Sequence, residues 1–205
     1  MEAGLRERKK QETRRLLWET AIGLFVERGF DNVAMAEVAA AANVSKTTVF
    51  NYFGSKEDLV LGPAEAHVDE PARVVRTRAP GETPLAALHR QFRTALAEHD
   101  PATGLCDKPN VLRLQRLINE TPSLAPRLFV AMARTQELLA AELATVADPL
   151  TARLAAAQIA GARTVLIMEN RDRMLAGESA DLVHPLAVLH ADQAFSLLEN
   201  GLKTL

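Results

Sequence analysis

The apolar positions of this chain recur with helical spacing almost from end to end. Leu17, Ala21, Leu24 and Phe25 fall at i, i+4, i+7 and i+8, one face of an amphipathic helix expected to start near Lys9. Gly29 ends it, because glycine takes the left-handed C-terminal cap conformation at no Cβ cost. Phe30 is then placed to fold back onto Phe25. Two shorter helices follow, over about 35–41 and 45–52. A fourth starts at Ser55, whose hydroxyl can cap it while Asp58 reaches back in a capping-box-like pair.

The remainder is punctuated by one repeated device. Thr83-Pro84, Thr121-Pro122 and Asp148-Pro149 each set a capping residue before a proline, and His184-Pro185 does so with a poorer cap. Proline suits the first helical position and holds its predecessor in the extended conformation of an N-cap. The pattern predicts helices near 84–99, 107–119, 122–146, 149–170 and 185–200, the last ended by Gly201. Residues 70–82, with Glu70-Pro71 and Ala79-Pro80-Gly81, read as a linker, and 171–183 as a polar loop. The expected fold is all-α, with about nine helices.

Composition sharpens this in a few places. Of 205 residues, 48% are hydrophobic and 4% aromatic, with alanine and leucine dominant, which favours helix over sheet. No apolar run approaches the roughly 20 residues that cross a bilayer, and the charged N-terminus lacks the apolar core of a secretory signal. Cys106 is the lone cysteine, so no intrachain disulfide can form and a reducing cytoplasm is expected. The net charge of −2 argues weakly against nucleic acid, but it hides a local bias. Arg6, Arg8, Lys9, Lys10, Arg14 and Arg15 stand against only Glu7 and Glu12. Such a run is ordinarily a solvated helix face; it gains meaning only beside a DNA-reading motif.

Such a motif follows it. A helix-turn-helix needs a small residue where its two helices touch, a turn residue that tolerates positive φ, and an apolar anchor on the second helix. Ala39, Asn43 and Val49 supply these at spacings of 4 and 6, with Val38 and Val44 adding core contacts. Asparagine is among the few non-glycine residues that visit the left-handed region readily. Ser45 caps the second helix, whose N-terminal end would enter a major groove. Composition alone would equally allow an ordinary helical hairpin.

Residues 9–61 resemble the DNA-binding domain of the TetR family of bacterial regulators. The resemblance rests on Ala21 and Leu24-Phe25 before Gly29-Phe30, on Val38-Ala39, on Val44-Ser45-Lys46-Thr47-Thr48-Val49-Phe50-Asn51-Tyr52-Phe53, and on Ser55-Lys56-Glu57-Asp58-Leu59. It implies a DNA-binding regulator, most simply a repressor released from a palindromic double-stranded DNA operator by a small effector. A three-helix reading domain over 1–54 and a helical effector-binding and dimerisation domain over 55–205 are expected. Carried over residue by residue, Lys46, Thr47, Thr48 and Asn51 reach base edges and nearby phosphates, and Tyr52 and Lys56 clamp the backbone. Thr47 can offer a methyl to thymine and Asn51 can pair bidentately with adenine.

Three departures stand out. Phe50 replaces the family's usual tyrosine and its hydroxyl, Ala34 stands where a threonine commonly caps the second helix, and Asn43 replaces the turn glycine.

For the C-terminal body the resemblance implies a homodimer through the last two helices. Ala156, Ile159, Ala160, Gly161, Val165 and Leu166 are the candidates on one, with Leu186, Leu189, Ala194, Leu197 and Leu198 on the other. It also implies a ligand pocket among the preceding helices. Candidates are Phe92, Leu96, Leu114, Leu117, Leu128, Phe129, Met132 and Ile159, with Gln136, Gln158 and Thr164 as polar contacts. Gln158 is singled out because it interrupts Ala155-Ala156-Ala157 and, if buried, needs partners. Arg113 to Ile118 with Thr121-Pro122-Ser123-Leu124 resembles regulators from mycofactocin clusters, which implies a lipophilic or acyl effector.

Two other function classes are open to a helical chain of this composition. The five histidines show no metal-ligand spacing and no glycine-rich phosphate loop occurs, so neither catalysis, cofactor nor metal is expected. A helical protein-interaction adaptor without DNA binding is the remaining alternative, with the basic run merely solvated.

Overall fold

A computed structural model describes residues 2–65 and 67–201. The described residues form ten α-helices and no strand: α1 Glu2–Arg28, α2 Met35–Ala41, α3 Lys46–Tyr52, α4 Lys56–Glu65, α5 Glu70–Arg76, α6 Pro84–Ala97, α7 Pro109–Asn119, α8 Ala125–Leu143, α9 Pro149–Leu175 and α10 Ala180–Asn200. Short 3-10 turns precede α7 and α8 at Pro101–Thr103 and Pro122–Leu124. Two compact units result. One joins Met1–Pro63 with Arg113–Arg127, the other Ala64–Leu112 with Leu128–Leu205.

In the first unit α1 buries Leu17, Ala21, Ile22 and Phe25, while Leu24 is half-buried. It starts at Glu2, seven residues before the expected Lys9, so the basic run is helical. Gly29 takes φ +85° and Phe30 folds back on Phe25 with ring centres 5.1 Å apart. At Ala34 the N-cap has extended geometry but no side-chain acceptor. Half of a capping box survives, because the Ala34 amide donates to the Glu37 carboxylate at 2.8 Å. Supplying the missing hydroxyl with Ala34→Thr is expected to raise stability by about 1 kcal/mol in urea denaturation. No gain would mean the Glu37 contact already satisfies the helix start.

The second unit is built on a core of Leu88, Phe92 and Leu96 from α6, Leu139 from α8, Ala152, Ala156 and Leu166 from α9, and Ala187, Ala191 and Phe195 from α10. Thr83 and Asp148 cap as expected, accepting from the amides of Ala86 and of Leu150 and Thr151. Thr121 does not. Its hydroxyl donates to the Leu117 carbonyl, so a 3-10 turn precedes α8.

Three sequence expectations need correcting. The linker over 70–82 contains α5, which puts Pro71 in the first turn, where its missing N–H costs nothing, and buries Ala72 and Val75. The loop over 171–183 shrinks, because α9 continues to Leu175 and a two-bond Arg173–Glu178 pair spans its end. His184-Pro185 starts no helix. α10 begins at Ala180, capped by Ser179 and by the Asp107 carboxylate on the Ala180 amide at 2.9 Å, and Pro185 lies inside it.

Where Pro101–Thr103 meets α9, backbones approach closely. Gly104 has φ +76°, and Asn170, which is buried, donates to the Thr103 carbonyl at 2.9 Å. A Cβ at Gly104 would fall on the Ile167 carbonyl oxygen and the Arg171 nitrogen of α9.

Candidate nucleic-acid interface and cavity

The joint between α2 and α3 is made by the residues the sequence nominated. Val38, Ala39 and Val49 are buried, and Asn43 turns the chain at φ +54°. The Asn43 and Val44 amides bond back to the Ala40 and Ala39 carbonyls, which closes α2. The Ser45 hydroxyl accepts from the Thr48 amide at 3.0 Å and so starts α3. Because Val49 and Phe53 point inward, the opposite face of α3 is left to solvent.

That face carries Lys46, Thr47, Phe50 and Asn51, all exposed, with Thr47 and Asn51 one turn apart. Lys46 lies over the Phe50 ring at 5.7 Å, and Phe50 is 42% exposed, a large apolar ring facing water. Thr48 and Tyr52 are half-buried flanks, and the Thr48 hydroxyl is shared with Ser45 at 2.8 Å.

Lys56 is also half-buried, its ammonium 4.3 Å above Phe30 and 5.7 Å above Phe25. It is seated by cation–π attraction in the first turn of α4. Asp58 does not close the expected capping box. Its amide donates to Ser55, while its carboxylate takes Arg127 at 2.9 Å. Arg127 also donates to the Ser55 hydroxyl at 2.9 Å, so it clasps the start of α4. Nothing in the sequence pointed to Arg127, because its partners lie about 70 residues away.

In the second unit a cavity of about 510 Å³ opens among α5, α8 and α9. Of the ligand candidates, Phe129, Met132 and Gln136 line it, as do Leu128 and Thr164. Phe129 is 73% exposed at its edge. The others are placed elsewhere. Phe92, Leu96 and Ile159 are sealed in the core, and Leu114 and Leu117 belong to the other unit. Gln158 is exposed, because α9 turns Ala152, Ala156, Ile159, Leu166 and Asn170 inward, and a residue next to Ile159 sits about 100° away.

Sequence reasoning missed the cavity's polar end: His67, Glu70 and Arg163. Arg163 lies 5.3 Å from the Phe92 ring and donates to Gln91 at 3.3 Å, and Gln91 in turn donates to Glu70 at 3.3 Å. The hydrogen bond to His67 is the main influence holding the Glu70 carboxyl below its usual value, and the same bond raises the His67 imidazole. Burial lowers the Arg163 guanidinium. The available signal was one arginine inside the apolar run from Ile159 to Met168.

Among the described residues no helix is long and apolar enough to cross a membrane, and no group of three or more His, Cys, Asp or Glu could hold a metal ion.

A buried small-residue joint and a capped, solvent-facing α3 define a helix-turn-helix, carried on a chain whose second unit is all-helical with its own cavity. Residues 17–62 match the family of bacterial regulatory proteins described as the tetR family. The regulator TcmR of Streptomyces glaucescens is 33% identical over 122 residues, 59% of this chain and 54% of TcmR. This chain therefore spans about half the length of that relative. MftR of Mycobacterium tuberculosis, named for mycofactocin biosynthesis, is 24% identical over 97% of this chain and 95% of its own. NalD of Pseudomonas aeruginosa, solved as a crystal structure, superposes with a TM-score of 0.60 at 16% identity, covering 91% of this chain and 96% of NalD. Similarity to the tetR family of regulatory proteins is thus carried by the helix-turn-helix segment, residues 17–62.

Proposed function

We propose that this protein is a ligand-responsive transcriptional repressor that binds a two-fold DNA operator as a homodimer. The observation that carries this is the α3 face: Lys46, Thr47 and Asn51 stand in solvent on a helix anchored from behind by Val49. A short capped helix held this way presents donors, acceptors and a methyl group to a major groove. Tyr52, Thr48 and Lys56 flank it as backbone contacts that fix its register. Repression by occlusion needs only occupancy.

The reading part is assigned to residues 1–54 and the effector and dimerisation part to 55–205. Homodimerisation is supported by apolar side chains left in water along the last two helices. Leu150, Leu154, Val165 and Met168 repeat along α9, and Leu182, Leu189 and Leu197 along α10, each at least 41% exposed. Of the candidates named from sequence, Ala156, Ile159 and Leu166 are used inside the protomer, whereas Val165, Leu189 and Leu197 stay available. A dimer would set two reading helices about 34 Å apart, as a palindrome requires.

The cavity is read as the effector site, since 510 Å³ with a largely apolar lining suits one small molecule. An effector that binds one state of the protein more tightly than the other shifts the population toward a dimer unmatched to the operator.

A mobility-shift titration on the DNA flanking its own gene tests the reading. A sequence-specific complex at low salt is expected. Lys56→Ala should weaken binding about equally on all sequences and flatten the salt dependence by about one unit. Failure to form any complex would favour a protein-binding adaptor.

A further inference from the structure

An arginine inside an apolar cavity is costly unless an anion meets it. Arg163 has five N–H donors, and the one hydrogen bond it makes among the described residues goes to the neutral side chain of Gln91. Its flat face rests on Phe92, which leaves the edge for a partner. Glu70 acts on Arg163 through charge and through the bridging Gln91, but makes no direct hydrogen bond to it: its oxygens take His67 at 3.4 Å, Gln91 at 3.3 Å and Arg73 at 3.8 Å, so the guanidinium fork keeps donors for a further anion. Away from this end the lining turns apolar: Leu128, Phe129, Met132 and Leu139 from α8, and Ala157 and Ile167 from α9. From Leu128 to Leu139 this wall runs for roughly 16 Å at the rise of an α-helix.

We infer that the cavity takes an anionic amphiphile, a carboxylate held by the Arg163 fork with its apolar chain laid along α8. The inference rests on reading the cavity as the effector site and names the chemical class of that effector. A guanidinium matches a carboxylate bidentately, which supplies orientation as well as attraction.

The test uses the full-length protein and three ten-carbon probes that differ only in the head: decanoate, decanol and decylamine. Calorimetric titration is expected to show decanoate binding at least about tenfold more tightly than either other probe, the loss of one charge-assisted hydrogen bond being worth about that factor. Arg163→Gln should remove the preference while decanol affinity stays the same, and Arg163→Lys should keep part of it. A thermal melt of each variant reports whether the core around Phe92 is intact, and the wild-type ranking needs no variant. The proposal is overturned if decanol or decylamine equals decanoate, if Arg163→Gln lowers all three alike in a folded protein, or if none of them binds. Decanoate bound through Arg163 without release of operator DNA would leave the ligand class standing and remove the effector reading. Release by decanol as readily as by decanoate would do the reverse.

Discussion

Gly104→Ala is expected to cost about 3 kcal/mol and to lower the melting temperature by roughly 6–12 °C. Two penalties add at this position. The residue sits at φ +76°, where an L side chain is strained by about 1–2 kcal/mol, and its new methyl would occupy the space of the Ile167 carbonyl and the Arg171 nitrogen. Backbone in the middle of α9 cannot swing aside as a flexible side chain could. The Asn170 hydrogen bond to the Thr103 carbonyl would be lost with any shift that relieved the clash. Gly81 separates the two penalties. It has φ +81° but nothing within 4 Å of its absent Cβ, so Gly81→Ala should cost only the conformational part. Equal losses in the two variants, measured by chemical denaturation, would contradict the close approach described for Gly104.

Val49→Asp is the second large effect, and its consequence is functional. Val49 is fully buried at the α2–α3 joint, and a carboxylate there would have no partner, at a cost of several kcal/mol. The reading helix should detach and DNA binding should disappear at protein concentrations up to about 10 μM, well beyond typical specific affinities. Trp18, the single tryptophan, lies in the same compact unit and reports this directly through a red-shifted emission. Much of the helical circular dichroism should persist, because the second unit has its own core. Val49→Ile should be almost silent. Retention of operator binding by Val49→Asp would mean that α3 is not the anchored reading element.

How much of this was legible in the sequence depends on the range of the interaction. The Phe25–Phe30 fold-back, the Asn43 turn and the Ser45, Thr83 and Asp148 caps involve neighbours within five residues, and composition with spacing captured them. The start of α10 was misplaced because the proline signal at 185 was preferred to the local cap at Ser179, whose helix start is also held by Asp107, 73 residues away. The short helix α5 was hidden for a similar reason. Two prolines and a charged composition read as linker, while the burial of Ala72 and Val75 depends on packing that a seven-residue window does not contain.

The same division runs through the candidate site. The exposed set on α3 follows from the position of one anchor, Val49, and helical geometry then fixes the rest. The cavity was only half legible. Phe129, Met132 and Gln136 share a face of α8, yet Phe92 and Leu96 have the same apolar character and go into the core instead. Apolarity does not say which side of a helix a neighbour will cover. Gln158 shows it from the opposite direction: a polar residue in an alanine run signals a buried bond only if that side turns inward, and here it turns outward.

The most direct test of the reading-helix claim compares Asn51→Ala with the wild type on a selected operator and on random DNA at one salt concentration. Loss of one bidentate base contact is worth about 1–3 kcal/mol of discrimination. The predicted result is a specificity ratio that falls by roughly 5- to 150-fold on the operator, with affinity for random DNA unchanged. An unaltered ratio, with Asn51→Ala still choosing the same operator as tightly, would contradict the assignment of α3 as the element that reads sequence.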